Sequence, residues 1–282
     1  MRRLLTLLTA VLASVSLGTT SVHAITGNFT PDFEHEYVGL VVFYDATGTP
    51  VQRCSGSLLT DRVFLTAGHC VTLDDEGTLA TTARVYFEQD VDAVEGYPTS
   101  GGVLASTLYN YGFGGLSSLP QSRDVGLVIL DQSVTTVYPE VDEYASLAAA
   151  GTLDTYGTGI NATVDLSGYG VQNANKNNRV AARERLQATT FIIGGRNPIF
   201  KSRFNVQLAS NPGGGRGGTC FGDSGGPVLL GGTDIVVAVN SFVLNGNCAG
   251  QGFGYRTDQQ DVIDWILANA GTEADEIAIV SL

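Results

Sequence analysis

The stretch Gly222-Asp223-Ser224-Gly225-Gly226-Pro227 sets one hydroxyl among glycines that leave it and the neighbouring backbone uncovered. A serine hydroxyl is a poor nucleophile at neutral pH, so it needs an adjacent base, and the oxyanion formed by its attack needs preorganised donors. Glycine serves the second need. Without a Cβ, Gly222 can take backbone angles closed to other residues and turn its N–H, with that of Ser224, towards one point. Taken alone, the stretch reads equally well as a glycine-rich turn ended by a proline. The two readings part on whether the chain supplies a base.

The same residues fit the Gly-x-Ser-x-Gly elbow of α/β-hydrolases, in which the acid and then the histidine follow the serine along the chain. No histidine follows Ser224. The three in the chain are His23, His35 and His69, so the order excludes the elbow and places the base upstream. His69 stands in Leu65-Thr66-Ala67-Gly68-His69-Cys70. With both motifs in this order, the chain resembles trypsin/chymotrypsin-type serine proteases from Ile25 to about Asn269.

The resemblance implies an all-β fold of two antiparallel six-stranded β-barrels with a C-terminal α-helix and the active site in the cleft between the barrels. The first barrel is expected over about 25–140 and the second over about 151–257, joined near Tyr138 to Gly151. A terminal helix over about 258–270 and a short tail over 271–282 follow. Ser224 is then the nucleophile, His69 the base, and the N–H groups of Gly222 and Ser224 the oxyanion donors. Asp124 fits the orienting acid because it heads the apolar run Val125-Gly126-Leu127-Val128-Ile129-Leu130. A carboxylate there can enter the core edge and accept the imidazole Nδ1–H. Asp90, Asp92 and Asp131 introduce no comparable strand. An inactive homologue that only binds is the alternative, but no triad position is replaced.

Met1 to Ala24 carries Arg2 and Arg3, an apolar run, and Val22-His23-Ala24 with small residues where signal peptidase reads. This predicts a secretory leader, and hence a soluble protein exported to the extracellular space or periplasm. No stretch reaches the roughly 20 apolar residues of a membrane-spanning helix. The formal charge of −13 argues against nucleic acid or anionic membrane as a partner. Protein or peptide substrates and protein protease inhibitors are the partners the resemblance implies, with the chain itself a monomer.

Four cysteines in an exported chain favour disulfides. Cys54 with Cys70 would tie the histidine loop to the preceding strand, and Cys220 with Cys248 the serine loop to a later one. Zinc-type spacing is absent, so neither metal nor cofactor is expected.

Cleavage after Ala24 would start the mature chain Ile25-Thr26-Gly27-Asn28, similar to the Ile-Val-Gly-Gly start of activated relatives. The resemblance implies that the new α-amino group pairs with Asp223 and orders the pocket and oxyanion hole. Relatives usually make that terminus by cutting a propeptide, whereas here signal peptidase alone could make it, so no separate zymogen stage is expected. Short β-branched and aromatic runs from Val38 to Phe242, separated by turn residues, read as strands, and Thr257-Asp258 reads as the cap of the terminal helix. For specificity, Gly218 stands six residues before the serine, where trypsin-like relatives carry the aspartate that pairs with Lys or Arg. Ser241-Phe242-Val243 resembles the segment forming the pocket wall, with Val243 narrowing the mouth, Gly252 would line the other side, and Thr219 and Asn240 could hydrogen-bond a polar side chain. The expected preference is for a small-to-medium uncharged residue before the cut, with acidic and amide side chains left open.

Overall fold

The computed structural model describes residues 25–74, 76–174, 180–193, 203–211 and 214–282. The expected leader, with His23, and Pro212 and Gly213 of the glycine-rich run 211–218 that precedes the serine motif lie outside them.

Six runs of the first half form one sheet: β1 (Val38–Tyr44), β2 (Pro50–Leu58), β3 (Val63–Thr66), β4 (Thr82–Tyr86), β5 (Val103–Ala105 continuing as Thr107–Asn110) and β6 (Gly126–Ile129). Their closure depends on Ser106. Before it β5 pairs with β4, through Ala83 and Ala105, and after it with β6, through Thr107 and Ile129. One bent strand therefore supplies both edges, which leaves no open edge to aggregate. Ser106 is held at the corner by Asp131, which accepts from its N–H and its hydroxyl at 2.9 Å each.

The second half repeats the plan with β7 (Thr163–Gly168), β8 (Leu186–Phe191), β9 (Asn205–Ser210), β10 (Pro227–Leu230), β11 (Ile235–Val243) and β12 (Gly250–Arg256). Hydrogen-bonded neighbours run β9, β12, β11, β10, β7, β8. A bridge between Ile192 and Leu208 and the Ile193 N–H to Gln207 carbonyl bond at 2.8 Å bring β8 back to β9. Each sheet is thus a six-stranded barrel, and the second also carries short edge pairings at Thr30–Pro31, Ser146–Ala148 and Ile279–Val280.

β1 is buried at all seven residues, so it reads as a continuous apolar run and not as an alternating one. The core of the first barrel includes Phe43, Phe64, Leu65 and Val85, while Val164, Leu166, Leu208, Val228 and Leu230 fill the second barrel together with Ile25. Burying side chains of this size contributes roughly 1.5–3 kcal/mol each relative to exposure.

The terminal helix spans Gln260–Ala270 and buries Val262, Ile263 and Ile266. Its cap differs from the expectation. Gln259 occupies the cap position and no side chain caps the helix. Asp258 is drawn instead to Arg256, whose guanidinium donates to both its oxygens at 2.8 and 2.7 Å, and to the Leu153 N–H at 2.7 Å. A bidentate buried ion pair outcompetes an exposed cap. The tail also gains a place, because Ile279–Val280 pairs in parallel with Leu147 and Ala148. Among the described residues no helix is long and apolar enough to cross a membrane.

Candidate active site

β3 ends at Thr66, and the chain turns at once into the helical turn Gly68–Val71, which lifts the His69 side chain out of the first barrel. The disulfide Cys54–Cys70 fastens that turn to β2. Asp124 lies two residues before β6 and is fully buried. Its Oδ1 accepts the His69 backbone N–H at 2.8 Å and its Oδ2 lies 2.9 Å from the His69 Nδ1. The Ser241 hydroxyl donates to the same Oδ2. Three donors thus compensate one buried carboxylate, and together they fix the imidazole's orientation. Burial of the ring pushes the His69 pKa down, but the charge and hydrogen bond of Asp124 outweigh it and hold the pKa above the ordinary histidine value.

From the second barrel, the loop before β10 brings Ser224 to the cavity that His69 also lines. The cavity measures about 230 Å³, and its other lining residues are Thr219, Cys220, Phe221, Asn240, Ser241, Phe242 and Val243. Ser224 and His69 are not hydrogen-bonded to each other, a common state of a site without substrate. Gly222 has φ +102° and packs against Gly170, whose Cα lies 2.9 Å from where a Cβ would stand. Both the backbone angle and the space therefore require glycine. The turn leaves the Gly222 and Ser224 N–H groups without an acceptor among the described residues, while the intervening Asp223 N–H is tied to the Cys220 carbonyl at 3.1 Å. Two free donors beside one hydroxyl can receive a developing oxyanion.

The Asp223 side chain turns inward, accepting the N–H groups of Gly170 at 2.8 Å and Cys220 at 2.9 Å. It has no cationic partner among the described residues. Burial pushes its carboxyl up to about 7, against the pull of those two N–H groups. Ile25 is fully buried in the second barrel, and Thr26 pairs with Gly218 beside the serine loop.

Of the other expected pocket residues, Thr219, Ser241 and Val243 line the cavity, whereas Gly218 and Gly252 do not. Gly218 is closed off, since a Cβ there would stand 1.8 Å from the Ser210 Oγ, and Gly252 backs Thr219 with its Cβ position 3.0 Å from the Thr219 Oγ1. The second disulfide, Cys220–Cys248, anchors the same wall. Cys54, His69 and Cys70 approach within 4.8 Å of one another, but the two sulfurs are bonded together and offer no thiolate to a metal. Two features were missed in the sequence. The bond from Ser241 to Asp124 had no local signal, and neither had the Asp32 carboxylate that holds His35 at 2.9 Å and the Ser167 hydroxyl. In that second grouping both partners bond the carboxylate, so no serine is left facing a free ring nitrogen.

Solved structures share the architecture. "HL collagenase" superposes with a TM-score of 0.65 at 20% identity, covering 87% of this chain and 97% of that one. The protease Anisep from Arthrobacter nicotinovorans gives 0.61 at 18% identity, covering 88% and 99%. These likenesses place the fold among the chymotrypsin-like double barrels. In sequence, the chain is 26% identical over 272 residues to CLIP domain-containing serine protease B10 of Anopheles gambiae, covering 90% of this chain and 71% of the relative. It is 25% identical over 228 residues to Trypsin delta of Drosophila erecta, covering 77% and 78%. The family model for Trypsin matches residues 30–266, most of the chain, which therefore belongs to the trypsin family.

Proposed function

We propose that this protein is an exported serine endopeptidase that cleaves peptide bonds through an acyl-enzyme on Ser224. The observation that carries the reading is one cavity lined by His69 and Ser224, with Asp124 behind the imidazole and two unpaired N–H groups beside the hydroxyl. Asp124 accepts a hydrogen bond from Nδ1–H, leaving Nε2 as the basic nitrogen. Ser224 Oγ attacks the carbonyl carbon as its proton passes to Nε2, and the Gly222 and Ser224 N–H groups receive the oxyanion. Collapse of the intermediate breaks the C–N bond, with His69 returning the proton to the leaving amine. Water activated by His69 then hydrolyses the ester and frees Ser224. Loss of one oxyanion donor costs about 10²–10³ in turnover.

The lining residues include no carboxylate to pair with a cationic side chain, which favours an uncharged residue before the cut over Lys or Arg. Export is supported by the leader-like residues 1–24 and by the two disulfides. Cleavage after Ala24 would give Ile25 an α-amino group, the cation that buried Asp223 lacks. Protein substrates, and inhibitors that imitate them, would occupy the same cleft on a monomer.

The test is labelling of the secreted protein with a fluorophosphonate, followed by mass spectrometry. The adduct is expected on Ser224 in the wild type and absent in Ser224→Ala. A folded protein that begins at Ile25 and takes no label would instead be a binding protein on this fold.

A further inference from the structure

Asn240 sits on β11, one residue before Ser241, where the pairing with β12 shifts register between Asn240 and Phe242. Such an irregularity re-aims side chains that would otherwise alternate strictly across the sheet. The backbone of Asn240 is locked to the serine loop, its N–H donating to the Gly226 carbonyl at 2.9 Å and its carbonyl accepting the Gly225 N–H at 2.7 Å. The residue lines the cavity and is 2% exposed, yet neither its Nδ2 nor its Oδ1 has a hydrogen-bond partner. No other residue lining the cavity has a buried polar side-chain atom left unpaired. An unpaired buried amide is costly and calls for a partner, and one lining a cleft can find that partner in a bound ligand.

We infer that Asn240 is the specificity-determining residue of this cleft and that it selects a substrate carboxamide, glutamine or asparagine, immediately before the cut. The chemistry follows from the pair of free atoms. Nδ2 donates and Oδ1 accepts, so the matching side chain must offer one acceptor and one donor side by side, as a primary amide does. A carboxylate would satisfy Nδ2 and set a negative charge against Oδ1. A cation would satisfy Oδ1 alone, and the lining offers no acidic residue to neutralise it. An aliphatic chain would leave both atoms buried and unpaired. The Thr219 hydroxyl, on the same cavity and with no hydrogen bond to the protein among the described residues, can take the second amide hydrogen. The inference rests on the peptidase reading for its place before a cut, but the recognition it describes can be measured without turnover.

The experiment measures equilibrium binding to Ser224→Ala of N-acetylated tetrapeptides that differ only in a C-terminal Gln, Met, Glu or Leu. Met is close to Gln in length and lacks the amide. The Gln peptide is expected to bind about tenfold to a hundredfold tighter than the Met peptide, the range set by leaving a buried polar group unpaired. Adding Asn240→Val should bring the ratio to about one, and Asn240→Ser, which keeps a hydroxyl, provides the same comparison if the valine protein does not fold. Met bound as tightly as Gln, no Gln binding, or a ratio unchanged by either substitution overturns the inference. Fluorophosphonate labelling of the wild type is run in parallel. A labelled enzyme without the Gln preference loses only this inference, and an unlabelled protein that keeps the preference loses only the catalytic reading.

Discussion

If the Ile25 amine pairs with Asp223, folding stability should depend on how the chain begins. The Asp223 carboxyl is fully buried, accepts two backbone N–H groups and faces no cation among the described residues, and burial raises its pKa from 3.8 to about 7. Between roughly pH 4 and 7 the folded chain holds a proton on Asp223 that the unfolded chain has released, so stability falls as pH rises through that window. The separation of the two pKa values corresponds to about 4 kcal/mol, fully expressed above pH 7. An α-amino group at Ile25 would keep the carboxylate ionised at low cost and remove most of that slope. The comparison is between a protein cleaved to begin at Ile25 and one with a short Gly-Ser extension ahead of it. Urea unfolding of each is followed from pH 4.5 to 8.5. The extended form should lose on the order of 4 kcal/mol across the range relative to the Ile25 form, and it should label more slowly with the fluorophosphonate at pH 8. Other groups, such as the His35–Asp32 pair, are common to both proteins and cancel in the difference. Parallel pH curves for the two forms, or an extended form that gains stability as pH rises, would refute the pairing of Ile25 with Asp223.

Two further outcomes follow from the same geometry. Gly218→Asp, the substitution that would copy a trypsin-like pocket, should lower the thermal midpoint and confer no activity on Arg substrates, because its Cβ would meet the Ser210 Oγ at 1.8 Å and the Ser210 Cα at 3.0 Å; efficient Arg cleavage by a stable variant would contradict this. Since Asp124 holds the His69 pKa above the ordinary value, kcat/KM should rise with pH as His69 loses its proton, and Asp124→Asn should shift that rise to lower pH while cutting kcat by about 10⁴, as read from pH–rate profiles.

How much of this could be read from the residues depends on how local each interaction is. The turn at Gly222 needs a backbone angle of φ +102° and a missing Cβ, and both demands are written in the glycine itself. The apolar runs of β1 and β6 likewise name themselves, since both are buried along their length or nearly so. β5 does not, because half of it serves one neighbour and half the other, and its short alternating pieces only make sense once the barrel closes. The same holds at the site. His69, Asp124 and Ser224 each stand in a recognisable run, but Ser241 reaches Asp124 across 117 positions of sequence, and Asp258 abandons a cap for an arginine two residues away. Competition of that kind is decided by burial, which strengthens a charge-assisted bond far more than a surface one. Asn240 is the sharpest case. In sequence it is one polar residue within the strand-like run from Asp234 to Phe242, and beside Ser241 it reads, with Thr219, as a group that could hydrogen-bond a polar substrate side chain, acidic or amide. Only the folded chain shows an amide at 2% exposure on the cavity beside the nucleophile, with its donor and acceptor both unmet. A valine would continue the run without leaving a donor and an acceptor unpaired, so the amide is a cost to the fold. A substrate amide that meets both atoms offsets that cost, and that links Asn240 to the substrate.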